Sequence, residues 1–143
     1  MTLPDINLLI HAYNSVSPAH AAAKAWWEEQ MNGERVVGLA WAVILGFIRL
    51  VTHPAVFANP LPVRVACDHA RSWLARPQVT IVHPGDRHAG LAFGLLESLG
   101  SAGNLTTDAH LAALAIEYQA ELQSTDADFA RFPGLRWVNP LPR

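Results

Sequence analysis

Four aspartates stand out for the chemistry they could do together: Asp5 near the start of the chain, Asp108, and the pair Asp126 and Asp128 in "STDADF". Converging carboxylates repel one another unless something positive sits between them. Hard divalent cations such as Mg²⁺ or Mn²⁺ suit that place, because they take oxygen ligands, keep several waters and bridge carboxylates to phosphates. A cation held in this way acidifies a bound water, orients it and stabilises charge on a leaving oxygen. The chemistry implied is phosphodiester hydrolysis without a protein nucleophile. Each acid taken alone has a plainer reading. Asp108 opens a helix, where free N–H groups favour a carboxylate. Asp126 and Asp128 lie in a polar turn, where aspartate bonds locally, and Asp5 can cap the helix that follows it. Only their joint placement favours a functional reading.

Joint placement depends on the elements between them. "TLPD" reads as a very short strand leading into the helix "INLLIHAYN". Ser17 and Pro18 form a helix start, Ser17 as cap, for "PAHAAAKAWWEEQMN", which ends near Gly33. "RVVGLA" is a second strand, followed by the apolar helix "WAVILGFIRLVTH" and, after a proline-bearing loop, a helix from about Val63 to Ala75. "VTIVHP" is a third, β-branched strand and "RHAGLAFGLLESLG" a helix with two internal glycines. "DAHLAALAIEYQA" is the clearest helix, with Leu111, Leu114, Ala115 and Tyr118 on one face. "ELQST" is a fourth strand and "LRWVN" a fifth. Such alternation predicts an α/β fold with a mostly parallel sheet covered on both faces. From Asp108 the helix runs roughly 18 Å, and "ELQST" returns by roughly 16 Å. Asp108 and Asp126 are therefore expected at one sheet edge. Asp5 shares it, at the carboxyl ends of the strands, where open α/β sheets bind ligands.

Composition narrows the classes. The 143 residues suit a single domain spanning 1–143, with 51% apolar and only 15% charged residues. A net charge of -2 argues against a domain that coats nucleic acid by bulk charge, yet nine of the ten cations are arginine, which leaves room for a local phosphate contact. Cys67 is the only cysteine, so there is no internal disulfide and no thiolate zinc cluster; it reads as a packed helix residue. The N-terminus lacks a basic leader, and the apolar run at 36–48 stops at Arg49, too short to span a bilayer. A soluble cytoplasmic protein is expected.

Other constellations carry less. No histidine pair has H-E-x-x-H spacing, and His110, two positions after Asp108, is the best placed of the seven histidines. "LGSAGNLTT" lacks the phosphate-loop pattern and no G-x-S-x-G occurs. An aspartyl phosphotransferase would need an acid where Asn7 stands. Of the adjacent Trp26 and Trp27, pointing about 100° apart, one is expected to face another chain.

At these residues the chain resembles the PIN-domain ribonucleases, and specifically the VapC toxins of type II toxin–antitoxin systems. The matching pieces are "LPDINLLIHAYN" at 3–14, "WAVILGFIRLVTHPAVF" at 41–57, "GNLTTDAHLAALAIEYQAELQSTDADFARFPGL" at 103–135 and the terminal "RWVNPL". The resemblance implies a compact three-layer α/β/α PIN-like domain, Mg²⁺- or Mn²⁺-dependent endoribonuclease activity on RNA, homodimerisation, and inhibition by a small VapB-like antitoxin. It implies metal-binding roles for Asp5, Asp108 and Asp126, with Asp128 as the alternative to Asp126. Asn7 and Ser124 would support them, and Thr107 would cap the late helix. The family usually places a glutamate in the helix after the second strand; that position corresponds here to Gly46, and 41–50 holds no acid. A catalytically weak or silent module that binds antitoxin or RNA is therefore the alternative, and a metal-dependent DNA nuclease or phosphatase a third reading.

Overall fold

The computed structural model describes residues 1–142. Five strands, β1 (Thr2–Pro4), β2 (Val37–Leu39), β3 (Val79–Ile81), β4 (Glu121–Gln123) and β5 (Trp137–Val138), form one sheet in the order β3-β2-β1-β4-β5. Every pairing is parallel, where the sequence had promised only mostly parallel. Six α-helices connect them: α1 (Ile6–Tyr13), α2 (His20–Asn32), α3 (Trp41–Val51), α4 (Val63–Leu74), α5 (His88–Leu99) and α6 (Thr106–Glu117).

The strand order fixes the layers. Parallel crossovers are right-handed as a rule, so the march from β1 to β3 puts α1 to α4 on one face. Reversal to β4, beyond β1, puts α5 and α6 on the other. Packing agrees: α1 lies on α2 and α3, α3 on α4, and α5 on α6. Central strands covered on both faces must be apolar on both; Leu3, Val37, Leu39 and Leu122 are fully buried. The order in which strands join the sheet reverses between β1 and β4, so the carboxyl ends of these two parallel strands flank the topological switch point.

Two expectations fail here. Ser17 does not cap α2: its Oγ accepts from Ala19 N at 3.2 Å in a turn, and the helix starts at His20 without a side-chain cap. Trp26 and Trp27 are both buried within this chain, at 7% and 4% exposure, and neither faces outwards. The reason is the width of the buried stripe on α2. The sheet lies under one edge, where Trp26 Nε1 donates to Gln123 Oε1 at 3.1 Å, and α4 lies against the other, where Trp27 meets Trp73 edge-on at 5.4 Å. A stripe somewhat over 100° wide admits two neighbouring residues. Among the described residues no helix is long and apolar enough to cross a membrane.

Candidate active site

Register brings the first acid and its support together. Pro4 pairs with Gln123 across β1 and β4, so the next residues, Asp5 and Ser124, leave the sheet side by side. Asp5 N donates to Gln123 O at 2.8 Å, extending the ladder by one rung. The Asp5 carboxylate caps α1, accepting from Ile6 N at 2.7 Å through Oδ1, and takes the Ser124 hydroxyl proton at 2.8 Å through Oδ2. Ser124 Oγ in turn accepts from Asp126 N at 2.9 Å and lies 3.3 Å from Asn7 Oδ1. Asp126 then caps the 3₁₀ turn Ala127–Arg131, accepting from Asp128 N at 2.9 Å. One hydroxyl thus ties the end of β1 to the end of β4.

Asp108 arrives from the other direction. A 3₁₀ turn, Gly103–Leu105, runs directly into α6 and places Asp108 in its first turn. Thr107 is not the cap: α6 begins one residue earlier, Leu105 holds the cap position without a side-chain bond, and Thr107 instead lines the cleft. Among the described residues the Asp108 carboxylate has no hydrogen-bond partner.

The acids act on one another's protons. Burial raises the Asp5 pKa above its usual range, against the pull of Ser124 and Ile6 N–H, and the Asp126 charge adds to the rise. The Asp108 carboxyl is pushed up to about 6, first by burial and then by the charges of Asp5, Asp126 and Asp128. Asp126 therefore acts on both Asp5 and Asp108, whereas Asp128, which is exposed, acts only on Asp108. The four acids share one field with too little positive charge inside it.

A cleft of about 220 Å³ opens between α1, α3 and α6, lined by Asp5, Ile6, Gly46, Arg49, Thr107 and Asp108 among others. Its donors are all oxygen, which suits a hard divalent cation. Among the described residues no three histidine, cysteine, aspartate or glutamate side chains already surround an ion-sized space. A cation here would therefore be held by one or two carboxylates plus waters, the habit of Mg²⁺. His110 does not join them. It meets His88 ring to ring, Nδ1 to Nε2 at 2.9 Å, in a separate pocket beside Phe93.

The PIN domain model matches residues 2–135. The chain belongs to the PIN-domain family. Within it the likeness to VapC ribonucleases runs end to end. Ribonuclease VapC33 of Mycobacterium tuberculosis is 47% identical over 141 residues, 99% of each chain. Ribonuclease VapC37 of the same organism is 41% identical over 140 residues, 98% of this chain and 97% of the relative. Among solved structures, VapBC2 from Rickettsia felis bound to a DNA fragment from their promoter superposes with a TM-score of 0.69 at 18% identity, covering 96% of this chain and 97% of that one. Mycobacterium tuberculosis VapC20, a sarcin-ricin loop cleaving toxin, gives 0.62 at 20% identity, covering 95% and 99%. At such low identity these two speak for the PIN fold.

The α3 wall of the cleft carries no acid. Gly46 leaves room for α1: a Cβ there would run into Ile6 Cδ1. Arg49, one turn on, is exposed and lines the same cleft. The sequence flagged both positions. The double role of Ser124, donor to one acid and acceptor from the backbone of another, was not legible, because a serine two residues before an aspartate is an ordinary turn signal.

Proposed function

We propose that this chain is a metal-dependent endoribonuclease toxin of a type II toxin–antitoxin system. What supports this reading is that Asp5 and Asp108 line one cleft, with Asp126 near enough to raise the pKa of both, in a chain whose likeness to VapC ribonucleases runs end to end. Asp5 and Asp108, which line the cleft, are assigned to direct bonds with Mg²⁺ or Mn²⁺ and Asp126 to a bond through water; Asp128, exposed and acting on Asp108 alone, completes the acidic field. When bound, the cation supplies charge neutralisation and a water acidified for attack on an RNA phosphodiester. Asp5 contributes fixed geometry, because its position is locked by Ile6 N–H and Ser124. Asp108 contributes a carboxylate with no other hydrogen bond among the described residues, released from its proton as pH rises through about 6. Ser124 holds the first acid in place, Asn7 Oδ1 lies 3.3 Å from the same hydroxyl, and Thr107 lines the cleft beside Asp108.

A VapB-like antitoxin is the proposed inhibitor, a homodimer the proposed assembly and the cytoplasm the proposed compartment. Solved neighbours such as VapBC-1 from nontypeable Haemophilus influenzae support the antitoxin assignment. Purified chain free of antitoxin should cut RNA with Mn²⁺ and stop on addition of a chelator, while D108N stays folded and inactive. Cleavage by D108N at the native rate would remove the proposal. A silent module that binds antitoxin or RNA is favoured by one observation, the acid-free α3; metal-dependent cleavage eliminates it, and a panel of RNA, DNA and phosphomonoesters separates the remaining chemistries.

A further inference from the structure

The cleft poses an electrostatic problem for its substrate. An RNA phosphate approaching Asp5, Asp108 and Asp126 meets a field of its own sign. Even a divalent cation cancels only part of that field, so a further positive group on the protein is needed where the substrate anion comes to rest. Of the residues lining the cleft, Arg49 is the one base.

Its surroundings suit the task. Ala42, Gly46 and Arg49 fall at successive turns of α3 and all line the cleft, so two small residues keep that wall open and the arginine stands at its end. Arg49 is exposed and has no ion pair among the described residues; the three ion pairs found are Lys24–Glu28, Arg35–Glu121 and Arg71–Asp68. An arginine whose purpose was to neutralise the aspartates would touch one of them. This one is left free beside them. A guanidinium presents a planar fork of donors that matches two phosphate oxygens at once. With no carboxylate on α3, this wall carries positive charge and the β1–β4 wall negative charge.

We propose that Arg49 is a phosphate-binding residue, its guanidinium gripping the non-bridging oxygens of the RNA phosphate that enters the cleft between α3 and α6. This rests on the ribonuclease reading above and names the group that orients its substrate.

The test measures binding of a short fluorescein-labelled single-stranded RNA by anisotropy, across a series of KCl concentrations at fixed Mg²⁺. Full-length D108N is the background, so that nothing is cut. Adding R49A should weaken binding roughly tenfold, as expected for one charge-assisted contact. It should also flatten the log–log salt slope by about 0.7, the share of one phosphate on a single strand. R49K should keep the slope and recover only part of the affinity, because a point charge replaces a fork. In the cleaving chain, R49A should raise KM for RNA. Unchanged affinity and slope in R49A, with native chain still cutting the RNA, overturn the role of Arg49 and leave the ribonuclease reading standing. A native chain that neither binds nor cuts RNA overturns both. Arg49 is exposed, so circular dichroism of R49A should match the parent.

Discussion

The two sides of the cleft hold their acids differently. Asp5 is wired in: a backbone N–H and the Ser124 hydroxyl each bond one of its oxygens, and its own N–H extends the sheet. Asp108, facing it from α6, is half-buried and has no hydrogen bond among the described residues, and its pKa is driven to about 6. Hydrogen bonds to a carboxylate favour its charged form, and burial without them disfavours it. One side of the site is thus anchored and satisfied, the other under electrostatic load. A load of that kind marks the residue that gains most when a cation or proton arrives.

The largest effect should come from the loaded side. D108N removes a charged oxygen donor, and RNA cleavage should fall by at least about 100-fold, as for other losses of preorganised charge stabilisation. The same change should stabilise the fold. Because the folded chain binds the Asp108 proton more tightly than the unfolded chain, stability is highest below the ordinary carboxylate pKa of 3.8 and is lost as pH rises towards about 6. At neutral pH the penalty for this half-exposed group, discounted for solvent screening, is about 1 kcal/mol. D108N should therefore raise Tm at pH 7 by about 3 °C and flatten the pH dependence between 4 and 6. A lower Tm would show that Asp108 is held by contacts rather than burdened by its neighbours.

S124A probes the anchored side. It removes the donor to Asp5 and the acceptor for Asp126 N–H, both in a buried place. Stability should drop by about 1–3 kcal/mol, and activity by roughly 10- to 100-fold, the usual cost of losing a group that orients a metal ligand. Thermal melts and initial rates check each. Smaller again should be the response to Mn²⁺: millimolar ion should raise the Tm of the native chain by a few degrees through preferential binding to the folded state, and should barely move D108N. The smallest effect is expected from D128N, since Asp128 is exposed and acts only on Asp108; cleavage should change by less than about tenfold. A loss as large as that of D108N would move Asp128 into the metal-binding set in place of Asp126.

Much of this was legible in the sequence. The layout of strands and helices followed from alternation and turn signals. The shared sheet edge of Asp108 and Asp126 followed from helix and strand lengths that cancel. Legibility ended where a residue's role is set by distant neighbours. Trp26 and Trp27 look incompatible on an isolated helix, yet Trp26 reaches Gln123 of β4 while Trp27 packs on Trp73 of α4, and both are covered. Thr107 looks like a cap because it is a hydroxyl before an acid, but the 3₁₀ turn at Gly103–Leu105 flows into α6 without the extended residue a cap requires. Gly46 reads as a missing acid; in the fold it is also the point where the tip of Ile6 from α1 fills the space a side chain on α3 would take.

The bond between Ser124 and Asp5 spans 119 positions of the chain. Closing a loop of that length costs entropy before the contact repays it, so the bond is expected to form late in folding, after β1 and β4 have paired. A fragment that stops short of Ser124 lacks this donor, and its Asp5 carboxylate is expected to lose the clamp that fixes its second oxygen.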